Sequence, residues 1–370
     1  MHTLSRRQFS LATGAALASL AQPVRAQTPA PGRTLYLADM HSHYGMFLPR
    51  LFGMDLKRHM LETGAMLLAW AIVDDQRWIG RSGSGLGQLS TPAPGELWSF
   101  FQSRLIERTA QLTGWGLQTA RTGADVDAAL AGEPRVLLAT EAANFLEGDI
   151  TRLAIAHAAG VRHLQLVHYI QSPIGDHQTA EPRHGGLSVF GKQVVTECQR
   201  LGLVVDLAHG TPALVDAALD STDAAMVWSH SWIRAQAGSW QDVGYIARAL
   251  SEQQAKKIAA RGGAVGLWTV RINRDPEYRV HSVSTYADEM LRMCDLLGPE
   301  HVAFGTDMEG AGPGPILSNY VDLREVADKL AQRGLSEAQL HGVFFGNYAN
   351  IVKRAMQGAA QGAEGAERPA

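Results

Sequence analysis

The chain has 370 residues, 46% of them hydrophobic and 19% charged, an ordinary globular composition long enough to bury one large core. With 33 basic against 36 acidic residues its formal net charge is -3, too weak a field to argue for a polyanionic partner, so nucleic acid is not expected. The two cysteines, Cys198 and Cys294, stand in helix-like patterns outside any CxxC or CxxH spacing, which speaks against a thiolate zinc site and requires no disulfide.

Residues 1–26 read as a twin-arginine signal peptide. Ser5-Arg6-Arg7-Gln8-Phe9 carries the arginine pair, an apolar stretch runs from Leu11 to Leu20, and Val24-Arg25-Ala26 ends in a small residue suited to cleavage. A periplasmic protein is therefore expected. No run approaches the ~20 consecutive apolar residues that span a bilayer, so no stable membrane insertion is expected.

From there short apolar runs alternate with longer amphipathic ones. The expected strands are Thr34–His41, Ala65–Val73, Arg135–Glu141, His163–His168, Leu203–His209, Ala225–His230, Ala264–Val270 and His301–Asp307. Helix-like segments are Asp125–Ala131, Ile150–Ala159, Gly191–Leu201, Thr211–Asp220, Ser251–Arg261, Thr285–Leu297 and Val321–Arg333. Near-continuous apolar strands alternating with helices predict a parallel sheet, and eight such units predict a closed α/β fold, the (β/α)8 TIM barrel, as a single domain over residues 27–356. About sixty residues intervene between the second and third strands. The Gly- and Ser-rich part of that insertion, Asp74–Pro94, is expected to cover the site. Gln171–Val189 and Arg271–Ser284 read as further long loops, and the Gly/Ala/Glu-rich tail 357–370 reads as disordered.

Six of the eight strand ends are His, Asp or Glu: His41-Ser42-His43 on the first, then Glu141, His168, His209, His230 and Asp307. In such a barrel the strand ends converge on one face, where active sites sit. Imidazoles and carboxylates without thiolates suit Zn²⁺ or a similar divalent ion, and a carboxylate can bridge two of them. Two ions about 3.5 Å apart acidify a water between them and polarise a neighbouring carbonyl, while an aspartate carries the proton to the leaving group. His157, His177 and His184 lie on a helix or in loops and read as structural, as do Glu147, Asp149 and the tryptophans.

The stretches Gly160–His168, Gly186–Gly191, Val205-Asp206-Leu207-Ala208-His209, Ser229-His230-Ser231, Phe304-Gly305-Thr306-Asp307 and Gly346-Asn347, in that order, resemble the membrane dipeptidase (renal dipeptidase) family of the amidohydrolase superfamily from about Leu35 to Val352. The resemblance implies a zinc-dependent dipeptidase with two zinc ions per chain. Glu141 would bridge, His41 and His43 would hold one ion, and His209 and His230 the other. His168 would stabilise the oxyanion at the substrate carbonyl, and Asp307 would shuttle the proton as a dipeptide's amide bond is hydrolysed.

Three positions depart from the family pattern. His43 stands where the family has Asp, which removes one negative charge from the site; Ala142 follows Glu141 where the family has Gly; and Gln236–Asp242 lacks the family's carboxylate-binding arginine. Arg234 and Arg271 are the candidate replacements. The expected partner is a small molecule, a dipeptide, with homodimer formation left open. The alternatives are an amidohydrolase or lactonase acting on another small molecule, and a barrel that binds ligand without turnover.

Overall fold

The computed structural model describes residues 35–47, 55–82, 85–272, 275–310 and 314–366. The signal-peptide reading of residues 1–26 lies outside them. Eight parallel strands close into a ring: β1 Leu37–Ser42, β2 Ala65–Val73, β3 Arg135–Glu141, β4 Val161–Gln165, β5 Val204–Asp206, β6 Val227–Ser231, β7 Ala264–Leu267 and β8 Val302–Phe304, each paired with its sequence neighbours and β8 with β1. The expected (β/α)8 barrel is the observed fold.

Burial on both faces is why these strands read as apolar runs. All nine residues of β2 are buried, and β2 pairs with β3 in unbroken register from Leu67 opposite Arg135 to Val73 opposite Glu141. The barrel interior is filled largely by small residues, among them Ala38, Ala69, Ala71, Ala139, Ala264 and Ala303, with Met40 and Leu67. Larger side chains, including Trp70, Leu138, Val205 and Phe304, pack outward against the helices. Gly266 and Gly305 keep the ring tight between β6, β7 and β8: a Cβ at Gly305 would fall 1.5 Å from the Ser229 carbonyl oxygen.

The helices are α1 Leu56–Thr63, α2 Glu96–Gly114, α3 Gly123–Leu130, α4 Thr151–Ala159, α5 Val189–Leu201, α6 Pro212–Leu219, α7 Glu252–Ala260, α8 Val283–Leu297, α9 Leu323–Gln332, α10 Glu337–His341 and α11 Asn347–Ala366. Their starts are set by ordinary caps, such as Ser188 on α5, Thr211 on α6 and Ser282 on α8. Among the described residues no helix is long and apolar enough to cross a membrane.

Helix α2, outside the expected helix-like segments, takes nineteen residues of the insertion between β2 and β3. Within the tail expected to be disordered from Gln357, α11 runs on to Ala366, in keeping with the helix propensity of Ala, Gln and Glu. Earlier residues of that helix and of the turn before it, Phe345, Tyr348, Ile351 and Val352, pack against the barrel's interior layer, and the Tyr348 hydroxyl reaches Nδ1 of His163 at 2.7 Å.

Candidate metal centre

The strands end earlier than their sequence pattern suggests. His168, His209 and Asp307 each sit three residues past the last ladder residue of β4, β5 and β8. Two buried carboxylates turn the chain there. Asp206 Oδ1 accepts the backbone N–H groups of Ala208 and Ser229, and Asp39 Oδ1 those of His41 and Thr306. His209 and Asp307 adopt left-handed backbone, with φ of 71° and 51°, uncommon for residues with a side chain and concentrated at functional sites.

His41, His43, Glu141, His168, His209, His230 and Asp307 are all buried and converge on one point. Nε2 of His41 and Nε2 of His43 lie 3.2 Å apart, with Glu141 Oε2 3.2 Å from the latter. Across the bridge Nε2 of His209 and Nε2 of His230 are also 3.2 Å apart, with Glu141 Oε1 3.4 Å from His209. His41, His43 and Glu141 thus form one potential ligand triad, and Glu141, His209 and His230 a second.

The second ring nitrogens show why Nε2 faces inward. Nδ1 of His43 donates to the Ala71 carbonyl at 2.8 Å, and Nδ1 of His230 is bonded to Ser229 Oγ at 2.8 Å. Such bonds orient a ring and leave the other nitrogen as a lone-pair donor.

Charge follows the same division. Burial, with the nearby Arg248 and the charges of His168 or His41, holds His209 and His230 well below the usual imidazole range, so both rings are neutral and could act as ligands. Burial works against a charge on Glu141 too, yet His168 and His41 and the hydrogen bonds from His168 and His209 outweigh it and hold the carboxyl well below its ordinary value. Burial likewise opposes a proton on His43, but without a cation in the site Asp307 and Glu141 push its pKa up to about 10, so a metal bound at Nε2 would have to displace that proton. A carboxylate shared between two imidazole sets, with buried Asp307 Oδ1 left without a hydrogen bond, is a donor set that fits two divalent cations.

Beside this centre lies a cavity of about 190 Å³, lined by His43, Glu141, His168, His209 and Asp307 and roofed by Ile79 and Leu86. These two come from short antiparallel strands, Ile79–Ser82 and Gly85–Gln88, within the loop expected to cover the site. Trp268, read as a packing residue, also donates Nε1–H to Asp307 Oδ2 at 2.9 Å. His177 and His184 stay outside the ligand set, bonded to Thr179 and to the Ser172 carbonyl.

The candidate arginines are corrected. Arg234 is spent on Asp275 at 3.3 Å and Glu277 at 2.9 Å, and exposed Arg271 donates to the carbonyls of His281 and Gly314. Neither lines the cavity, because each already has an oxygen partner in its own loop. Arg248 lines it instead. It is buried, bonded to the Tyr169 hydroxyl and to His230 Nε2 at 3.3 Å each, with its guanidinium carbon 5.0 Å from the Trp268 ring centre. Its sequence signal is a lone cation within the apolar run Tyr245-Ile246-Ala247-Arg248-Ala249-Leu250, C-terminal to Gln236–Asp242.

A family model for the membrane dipeptidases (peptidase family M19) matches residues 100–365. Among curated relatives, dipeptidase aclJ of Aspergillus oryzae is 30% identical over 227 residues, 58% of this chain and 50% of that protein. Dipeptidase 3 of Homo sapiens is 26% identical over 224 residues, 59% and 44% of the two chains. The chain spans about half the length of the curated relatives it matches. Two solved structures share the fold. A metallopeptidase from Rhodobacter sphaeroides, liganded with a phosphinate mimic of the dipeptide L-Ala-D-Ala, aligns with a TM-score of 0.69 at 21% identity over 87% of this chain and all of its own. An amidohydrolase from Pseudomonas aeruginosa aligns at 0.68 and 15% identity, over 87% and 97%. With a family match that covers six of the eight barrel strands, β3 to β8, the chain belongs to the membrane dipeptidase family, peptidase family M19.

Proposed function

We propose that the protein is a zinc-dependent dipeptidase. The observation that carries this reading is that one cavity joins two triads sharing Glu141 to a buried arginine without a carboxylate partner among the described residues. Two zinc ions, on His41, His43 and Glu141 and on Glu141, His209 and His230, would supply Lewis acidity toward the scissile carbonyl and the attacking water.

The chain's own residues do the rest. Arg248 binds the dipeptide's terminal carboxylate, for which a guanidinium offers paired donors, and Tyr169 and Trp268 hold it in place. His168 presents Nε2 to the carbonyl oxygen as negative charge develops there. Asp307, its Oδ2 tied to Trp268, takes the water's proton on Oδ1 and delivers it to the leaving nitrogen. The water oxygen bonds to the carbonyl carbon, the C–N bond breaks, and two amino acids leave. Ile79, Leu86 and Phe47 limit the cavity to small substrates. The Ser5–Phe9 pattern supports export to the periplasm, a location that an Arg6→Lys/Arg7→Lys variant retained in the cytoplasm would test.

The test combines metal analysis with a substrate panel. Protein purified without chelator should carry close to two ions per chain, mainly zinc, and hydrolyse free dipeptides while leaving N-acetyl and C-amide derivatives untouched. Equal turnover of blocked amides or lactones would replace this reading with a broader amidohydrolase.

A further inference from the structure

Strand β2 is followed by two consecutive carboxylates, Asp74 and Asp75, both completely buried and neither among the residues that form the potential metal triads. They are used differently. Asp74 accepts the Phe145 backbone N–H at 2.9 Å and the Asn144 side-chain amide at 3.2 Å, so it fixes the turn that follows Glu141.

Asp75 faces the other way. Its Oδ1 accepts from Nδ1 of His168 at 2.7 Å, and its Oδ2 accepts the backbone N–H of the next residue, Tyr169, at 3.2 Å. One carboxylate thus holds both the ring of His168 and the backbone beside it. With Nδ1 held from behind, Nε2 is turned toward the cavity, 3.2 Å from Glu141 Oε1. A purely structural acceptor for the Tyr169 amide would need only one oxygen and no imidazole. The bond to His168 is the shorter of the two, as expected for a charge-assisted pair.

We infer that Asp75 is the positioning residue of His168, clamping the imidazole so that Nε2 meets the scissile carbonyl oxygen. The inference rests on the dipeptidase reading, in which His168 acts at that carbonyl. A ring without this clamp keeps its bond to Glu141 but gains freedom to rotate, and an oxyanion donor works only when it is already aimed at where charge develops.

The test uses the zinc-loaded full chain with Asp75→Asn, Asp75→Glu, His168→Gln and the Asp75→Asn/His168→Gln double variant. Asp75→Asn is expected to lower kcat at least about tenfold with KM within about threefold of wild type and metal content unchanged, and Asp75→Glu to recover part of the loss. In the His168→Gln background, Asp75→Asn should cost less than about twofold more, since the two residues act as one unit. An undiminished kcat in Asp75→Asn, or a full additive loss in the double variant, overturns the inference.

A second readout does not depend on turnover. The clamped Nδ1–H of His168 should give a protected downfield imidazole proton resonance in the wild-type protein, lost in His168→Gln. Absence of that resonance overturns the clamp whether or not the Asp75 variants fold. Its presence, together with two bound ions and no dipeptide turnover, supports the clamp and sinks the dipeptidase reading instead.

Discussion

Nη2 of Arg248 donates to Nε2 of His230 across 3.3 Å, so the cavity's one buried guanidinium, among the described residues, rests on a ring nitrogen of the second triad. A buried cation without an anionic partner is costly, and a substrate carboxylate satisfies it while freeing His230 Nε2 for a metal. Replacing Arg248 with Met should therefore raise KM for free dipeptides about 10²-fold, since losing one member of a buried charged pair costs roughly 2–5 kcal/mol. The variant should also stop discriminating between free and C-amidated substrates. Steady-state kinetics on both substrate types checks this, and an unchanged KM would assign the carboxylate to another group.

Arg248 also marks the limit of what sequence patterns reveal. The barrel and its candidate ligands were legible because each buried parallel strand is a short apolar run that stops at a polar residue: Glu141 after Arg135–Thr140, His230 after Val227–Ser229. Residues brought in by loops have no such period. Arg248 ends a single turn, Gly244–Arg248, and Asp75 lies in a polar stretch indistinguishable from an ordinary loop start. Helix α2 shows a blurred period because apolar Ile106 is exposed while Arg108 takes a place on the buried face with Leu97, Phe101 and Leu112. Arg234 and Arg271 drew attention by proximity in sequence, which says nothing about the acidic and carbonyl partners that hold them elsewhere.

Asp307 has one committed oxygen and one that faces the triads. Oδ2 accepts from Trp268 at 2.9 Å, while Oδ1 lies 3.3 Å from His43 Nε2. Asp307→Asn removes the proton acceptor but keeps the shape, so kcat should fall at least about 10²-fold with both ions retained. Trp268→Phe should cost less, about tenfold, because it releases the carboxylate without neutralising it. Rates read beside metal content separate the two effects, and a fully active Asp307→Asn enzyme would remove Asp307 from the reaction.

Chelation should destabilise the protein as well as inactivate it. Seven converging side chains that could act as ligands or carry charge, His41, His43, Glu141, His168, His209, His230 and Asp307, are buried together. Ions bound only in the folded state add about 4 kcal/mol each at free concentrations roughly 1,000 times Kd. Thermal unfolding with and without chelator should show a drop in Tm that zinc restores. An identical Tm for the stripped protein would mean that the centre holds no tightly bound ion.

Ala142, directly after Glu141, has a φ of 83° in the left-handed region that favours glycine. A side chain there costs roughly 1–2 kcal/mol, partly offset by glycine's greater freedom in the unfolded chain. Ala142→Gly should thus stabilise the protein by about 0.5–1 kcal/mol in urea unfolding. A loss of stability would show that the Ala142 methyl, which is buried, contributes more through packing than it costs in strain.

The loop Gln171–Val189 depends on a charge. Asp176 is buried, and its carboxylate accepts backbone N–H groups from Arg183 at 2.7 Å, His184 at 3.0 Å and Gly186 at 2.7 Å. Burial alone would raise its pKa, but these bonds outweigh it and hold the group below its ordinary value of 3.8. A carboxyl depressed in the folded state stabilises fully above its unfolded pKa, and that contribution disappears as pH falls through the folded value. Asp176→Asn should therefore cost about 1–3 kcal/mol at pH 7 and progressively less below pH ~4, where the wild-type carboxyl also becomes neutral. The same loop donates the Gln178 N–H to the His209 carbonyl at 2.7 Å, so the loss at neutral pH should also weaken zinc binding at the second triad. Urea unfolding of both proteins from pH 3 to 7 decides the point: a stability difference that stays constant across that range would mean that Asp176 acts through shape rather than charge.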